Sequence, residues 1–372
     1  MYLTTSLLDN DFNYLCSRAS ITPNPAGQNF HLKLIEAVSL AADSLHVISL
    51  IPNKEEIIPA NPSFTINGIN RTYLNTPASY FGKIKFIRKL IKDIVKEKPD
   101  YVFYDSLNVA ISRIAYSLRK KKIKTIAILT DDPTNISGTN NLYSKLIFKY
   151  SKNAYEYFAL TPTLNERFNK KKANCLICEG IIDIVEKPAK PYQNDYIYYG
   201  GALFIKDGTE ALISSYLENN PDYDLVISGH GDYEEKVKEA AKNNPRIKFL
   251  GQISKLDNFA YQCYSSLNIN PRKYRIELDK VSIPSKVLEY LQAGQPIAST
   301  LSTPLFEIFS SSINEIDSSI NINDALNKFF KEHLDENKKF INLKENNSEN
   351  IILEKYSVKS VSSLIKDTLL TK

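Results

Sequence analysis

No uninterrupted apolar run in the 372 residues approaches the ~18 needed to cross a bilayer, which excludes a membrane-spanning helix. The opening MYLTTSLLDNDF has no basic stretch followed by an apolar one, so no secretory leader is expected and the cytoplasm is the simplest compartment. Cysteine is scarce, and 4 in such a length make no disulfide framework. Cys175 and Cys178 form a Cys-x-x-Cys, but no second pair with zinc spacing accompanies it. NCLIC reads as a strand, where residues three apart point to opposite faces, so a metal or redox centre is not expected there. No fixed-period repeat or low-complexity tract stands out, which excludes solenoids.

What is present is a long series of short apolar strands alternating with helical patterns. YLTTS (2–6), LHVISLI (45–51), YVFYDS (101–106), KTIAILT (124–130) and YEYFALT (155–161) form one group. DYIYYGG (195–201), DLVISG (224–229), RIKFLG (246–251), SLNINP (266–271) and PIAST (296–300) form another. Strands of this kind separated by helices imply parallel sheets covered on both faces. Between the groups lies EKPAKPYQND (186–195), two prolines among charges, which reads as a linker. The expected fold class is therefore α/β, two Rossmann-like doubly wound parallel-sheet domains over 1–187 and 188–353, facing each other across a cleft. The tail 352–370 has helical periodicity, and a helix over 354–372 is expected to pack back on the first domain.

Net charge is +5 and uneven: residues 1–190 hold 26 Lys+Arg against 17 Asp+Glu, or +9, and the remainder holds 21 against 25, or −4. A basic half attracts anionic partners, although a solvated surface is the commoner origin of such an excess. The segment 80–100 has apolar residues at 82, 86, 87, 90, 91, 94 and 95, with Lys83, Lys85, Lys89, Lys92 and Lys96 around them. It reads as a helix buried on the sheet by its apolar stripe, with lysines able to attract an anionic membrane surface weakly. LRKKKIK (118–124) is expected to extend that patch.

The stretch SIPSKVLEYLQAGQPI (282–297) reads as a capped helix. Ser285 suits the N-cap, Gly294 the left-handed exit, and Pro296 forbids continuation before the next strand. Val287, Leu288 and Leu291 make the core stripe, leaving Lys286, Glu289 and Gln292 to point elsewhere. The helix start attracts a phosphate, and Glu289, one turn in, is placed to accept hydrogen bonds from a diol beside it. Taken alone, the stretch is better read as a surface glutamate on an ordinary capped helix.

The ordered series YIYYGGALFIKDG (196–208), LVISGHGDYEEKVKEAAKNNPRIKFLGQIS (225–254) and LNINPRKYRIELDKVSIPSKVLEYLQAGQPIAST (267–300) resembles the family-4 retaining glycosyltransferases, which have the GT-B fold. NPAGQNFHLKLIEAVSL (24–40) is similar to their glycine loop and first helix, and LICEGIID (176–183) to the turn before their linker. The resemblance implies that Glu289 is the second glutamate of the E-x7-E segment and binds the ribose of a nucleotide-sugar donor. Val281 stands where the first glutamate belongs, and the Pro-Ser-Lys entry resembles a variant of the family. Glu277, Asp279 and Lys280 are candidates to replace that glutamate. The resemblance further implies a β-phosphate held by the backbone of Ser285, Lys286 and Val287, base contacts at Gln252 and Ile253, and close approach at Gly27 and Gly201.

Ala202 replaces the family's phosphate-binding Arg, and Lys206 lies beside the position of its Lys. Lys206 and Lys286 are therefore the candidates to stabilise the leaving group, with Arg272, Lys273 and Arg275 as further sources of charge. A family His is replaced by TDDP, so Asp131 and Asp132 are candidates for a sugar or acceptor hydroxyl, or else turn caps. His31 either faces the cleft or is a satisfied structural residue. Gly229 and Gly231 flank His230 in a turn, since a lone Gly-x-Gly is a weak phosphate signal.

The function implied is a retaining, metal-independent hexosyltransferase that moves a sugar from a nucleoside diphosphate, with UDP the expected carrier. The acceptor would be a glycan, a lipid-linked molecule or a protein, in cell-surface polysaccharide or glycoconjugate synthesis. No cofactor, metal or nucleic-acid partner is expected. Two alternatives stay open: a degenerate acceptor-binding subunit for a partner enzyme, and a nucleotide-sugar 2-epimerase, for which 4 His supply few acid–base groups.

Overall fold

The computed structural model describes residues 1–18, 25–52, 62–137, 141–273, 280–281, 283–300 and 303–370. Glu277, Asp279 and Arg275 lie outside the described residues, as does the side chain of Lys206. The chain divides into two compact units, Met1–Asp183 with Tyr356–Lys372, and Ile184–Lys355.

Unit 1 is built on an eight-stranded sheet among the described residues. Its strands are β1 (Tyr2–Thr4), β2 (His46–Pro52), β3 (Ser63–Ile66), β4 (Ile69–Thr76), β5 (Tyr101–Asp105), β6 (Lys124–Leu129), β7 (Glu156–Ala159) and β8 (Cys175–Ile177). Their order is β3-β4-β2-β1-β5-β6-β7-β8, and every pairing is parallel except β3 with β4. That antiparallel edge is a two-residue hairpin at Asn67-Gly68, with φ of 51° and 76°. An Asn-Gly pair suits the positive φ that such turns need at both positions, yet the sequence reading passed over both strands. The central strands are apolar throughout because helices cover both faces. The second helix of the tail, Val358–Leu369, packs on the helix Pro25–Ala41. The tail is two helices, Glu349–Tyr356 and Val358–Leu369, rather than one: Ser357 breaks it and caps the second by accepting from the Ser360 amide.

Unit 2 holds β9 (Tyr196–Ala202), β10 (Asp224–His230), β11 (Ile247–Phe249), β12 (Leu267–Asn270), β13 (Ile297–Thr300) and β14 (Ile313–Ile316). The six strands lie in the order β11-β10-β9-β12-β13-β14, all parallel. The chain thus winds outward from β9 to one edge and returns beside it at β12, the doubly wound Rossmann order. The core under this sheet is apolar, from Ile197 and Leu225 to Phe329 and Phe330.

Buried tyrosines are a feature of both units, and several of the hydroxyls that burial would otherwise penalise find partners, although that of the fully buried Tyr104 has none among the described residues. Tyr216 donates to the Tyr223 carbonyl at 2.8 Å and Tyr196 to the Tyr261 carbonyl at 2.8 Å. Tyr356 reaches Glu179 at 3.0 Å within unit 1. No described helix is long and apolar enough to cross a membrane.

Candidate functional site at the carboxyl edge of the second sheet

In a doubly wound sheet the crevice for a ligand opens at the carboxyl ends of the strands where the winding reverses. In unit 2 that point lies between β9 and β12. Near the end of β9 lie Gly200 and Gly201, and the tips of neighbouring side chains occupy the space a Cβ would need at either. A Cβ on Gly200 would stand 2.5 Å from Asn258 Oδ1, and one on Gly201 would stand 2.5 Å from Lys286 Nζ. Gly229, at the end of β10, touches the same point: its Cβ would lie 1.7 Å from the Gly201 carbonyl oxygen. Gly208 has φ +83°, and a Cβ there would lie 1.8 Å from the Pro271 carbonyl oxygen, so the loops after β9 and β12 meet backbone to backbone. Gly231 likewise presses on Leu203, and the Gly-x-Gly turn around His230 is accounted for by packing alone.

The helix Ser285–Ala293 points its start at this edge. Pro284, not Ser285, occupies the cap, and no side chain caps the helix; Ser285 is its first residue and is exposed. The Val287 amide already donates to the Pro284 carbonyl at 3.0 Å, which removes it from the set expected to hold a phosphate. The Ser285 and Lys286 amides remain for that purpose, since the first turn of a helix leaves its N–H groups without helical partners. Gly294 exits the helix with φ 76° and β13 follows at Ile297. Gln292, expected to point away from the core, is 8% exposed because the tail of unit 2 covers that side, with Asn346 donating to the Tyr290 and Leu291 carbonyls.

Lys286 lies over the Tyr199 ring, 4.3 Å from its centroid, and donates to the Tyr199 hydroxyl at 3.2 Å. Burial lowers its pKa, while Tyr290, Asp207 and Glu289 pull it back up and the Arg272 cation lowers it further. No carboxylate forms an ion pair with Lys286 among the described residues. A cation in this state gains by meeting an anion at the open edge. Arg272 follows β12, where its carbonyl accepts from Thr300 Oγ1 at 2.6 Å.

Glu289 is half-buried and held from one side. Asn258 Nδ2 and Gln262 Nε2, on the helix Lys255–Cys263, approach the same oxygen, Oε2, at 3.5 and 3.4 Å. Tyr198 fixes Asn258 by donating to its Oδ1 at 2.6 Å, and Tyr198 in turn meets Ser228 Oγ at 2.6 Å. The other carboxylate oxygen, Oε1, meets no donor among the described residues. This chain from β10 through β9 to the helix orients one carboxylate, which is what a diol-binding group requires. Tyr198, Asn258 and Gln262 were not singled out in the sequence, because each reads there as a core tyrosine or an ordinary helical amide.

Gln252 and Ile253 follow β11 at the same edge, drawn in by the Gly229 amide bonding the Gly251 carbonyl at 2.8 Å. The backbone of Lys206 lies in a single 3-10 turn, Ile205–Asp207, after β9. The expected unit 2 residues thus gather at one edge, Val287 through its helix position alone.

The unit 1 candidates do not form a comparable open set. Gly27 lies inside the first turn of the helix Pro25–Ala41 rather than in a loop. His31 is 4% exposed, with Nδ1 on the Tyr2 hydroxyl at 2.7 Å and Nε2 3.7 Å from Asp105, the structural role. Asp131 and Asp132 cap a turn: Asp131 Oδ1 accepts from the Asp132 amide at 2.6 Å, and Asp132 Oδ1 from the Thr134 amide at 2.8 Å. Asp132 is fully buried and its Oδ2 lies 2.5 Å from Arg167. Cys178 is buried, its Sγ turned to the Gly180 carbonyl at 3.1 Å.

Residues 181–349 match the family model described as glycosyl transferases group 1. No curated protein matches the chain. Among solved structures, the chain superposes on a sucrose-phosphate synthase from Thermosynechococcus elongatus with a TM-score of 0.71 at 13% identity, covering 98% of this chain and 97% of that one. HepE of Anabaena in complex with UDP and glucose gives 0.66 at 12% identity over 99% and 98% of the two chains. The lipopolysaccharide outer core galactosyltransferase WaaB gives 0.63 at 12% identity, over 99% and 98%. At such identities the likeness is one of fold, and that fold is GT-B, two parallel-sheet domains as in these glycosyltransferases.

Proposed function

We propose that the chain is a glycosyltransferase whose unit 2 binds a nucleoside diphosphate sugar, with UDP as carrier, and that it transfers the sugar to a glycan, lipid-linked or protein acceptor with retention. The observation that carries this reading is Glu289: a carboxylate held on one oxygen by Asn258 and Gln262, open on the other, one turn into a helix whose start faces the switch point. The ribose diol hydrogen-bonds the open oxygen. The diphosphate lies against the Ser285 and Lys286 amides and the Lys286 ammonium, with Arg272 nearby. These donors and cations stabilise the charge that develops on the leaving diphosphate, the electrostatic part of catalysis. They support a reaction without a metal ion. HepE, of the same fold, is described in complexes with UDP and with UDP-glucose, and this supports uridine as the base.

Calorimetric titration with UDP, GDP, ADP and CMP tests the reading. Wild type binds one of them, and Glu289→Ala weakens it at least ~10-fold, equivalent to about 1.4 kcal/mol. Asn258→Ala, which frees the carboxylate to rotate, weakens it by less. Absence of binding by every nucleotide to wild type overturns the donor site and favours an acceptor-binding subunit.

A further inference from the structure

We propose that unit 1 carries a docking surface for an anionic lipid bilayer, formed by the exposed Tyr80–Phe81 pair and the basic outer stripe of the helix behind it. The inference does not rest on the donor site of unit 2. The helix Tyr80–Glu97 buries Ile87, Leu90 and Ile94 against the sheet. At 3.6 residues per turn, Phe81, Lys85, Arg88, Lys89, Lys92 and Lys96 fall within an arc of about 100° on the opposite face. All six are exposed, and none of these five cations is in an ion pair among the described residues. The helix's acids, Asp93 and Glu97, lie off the stripe, and Glu97 is engaged with His46 at 2.8 Å.

The aromatic pair stands at the end of this stripe. Tyr80 is 71% and Phe81 83% exposed, edge to face with ring centroids 5.9 Å apart. Two large aromatic side chains side by side in water are a local cost that no described residue of unit 1 relieves. Their place follows from topology: β4 ends at Thr76, so a helix beginning at Tyr80 starts at the carboxyl edge of the sheet. The helices Val109–Arg119 and Leu142–Ser151 pack successively beside it on the same face and start at the same edge, and Leu142 is 72% exposed there. The Lys120–Lys122 run follows the end of its helix, at the opposite edge from the aromatic pair. An exposed apolar tip joined to an unpaired cationic stripe lets insertion of the tip and attraction of the stripe to anionic headgroups add.

Sedimentation of the full chain with vesicles tests this. Wild type is expected to pellet with phosphatidylglycerol–phosphatidylcholine vesicles, less so at high salt, and to stay in solution with pure phosphatidylcholine. Tyr80→Ser with Phe81→Ser, and separately Lys85→Glu, Lys89→Glu and Lys92→Glu together, each weaken binding by about tenfold or more. Circular dichroism and the melting midpoint confirm that these exposed changes leave the fold intact. Failure of wild type to pellet with anionic vesicles overturns the proposal, as does wild-type binding by the double serine variant. Binding of single-stranded RNA that outcompetes the vesicles and vanishes in the glutamate variant assigns the stripe to nucleic acid instead, and also overturns it.

Discussion

Gly201→Ala isolates the link between the end of β9 and Lys286. The new Cβ would stand 2.5 Å from Lys286 Nζ and 2.9 Å from its Cε, with the next neighbour, the Tyr199 hydroxyl, at 4.0 Å. The obstacle is therefore the tip of one flexible side chain. Two costs arise. Gly201 has φ +150°, and an L side chain there adds about 1–2 kcal/mol of strain in any background. Displacing Lys286 from the face and hydroxyl of Tyr199 adds about 1 kcal/mol. Shortening Lys286 to Ala removes both clashing atoms and so removes the second cost. In a double-mutant cycle, Gly201→Ala should cost about 2–3 kcal/mol with Lys286 present and about 1 kcal/mol less in Lys286→Ala. Urea midpoints of the four full-length proteins measure this coupling. Nucleotide titration gives a second readout: each single change weakens UDP, and the double change is no weaker than Lys286→Ala alone. Additive effects in both assays would refute the reasoning, because Gly201 would then act independently of Lys286.

Gly229→Ala meets backbone instead, 1.7 Å from the Gly201 carbonyl oxygen, so no rotamer relieves it and the loss should exceed ~3 kcal/mol. By contrast Gly251→Ala, at φ +66° with nothing within 4 Å, should lose only ~1 kcal/mol of strain, and equal midpoints for the two would contradict the model of contact at the strand ends. A pH dependence is expected from His31. Burial lowers its pKa below the ordinary 6.5, although Asp105 pulls it up. The unfolded chain therefore takes up the proton first. Stability is at its full value above 6.5 and declines as pH falls through 6.5 towards the folded pKa. Urea midpoints from pH 8 to pH 5 should fall less steeply for His31→Gln, and parallel profiles would remove His31 from the account.

The alternation of apolar strands with helices and the helix around Glu289 were legible in the sequence. Local periodicity and turn chemistry carry that information. Gly294 with Pro296 marked a helix exit that the structure shows, and the apolar runs of β9, β10 and β12 marked strands buried on both faces. The hairpin of β3 and β4 carried its Asn67-Gly68 signal too, but its half-exposed strands lacked the apolar run that made the others visible.

The site was only half legible. Glu289, Lys286 and Ser285 lie within five residues, and a helix start is a local feature. Ser285 was nevertheless misplaced as a cap, because Pro284 and Ser285 both suit the start and only the backbone path decides between them. Tyr198, Ser228, Asn258 and Gln262 reach Glu289 from three other elements, and no spacing along the chain connects them. The glycines show the same division. Sequence alone placed Gly200, Gly201 and Gly229 at strand ends. Only the parallel pairing of β9 with β10 and the approach of Lys286 determine what a Cβ there would meet. What the sequence by itself determined is whatever depends on neighbours along the chain: element type, turn chemistry and helix exits. What tertiary structure decided is which polar groups of distant elements converge, because burial forces each to find a partner in space rather than in sequence.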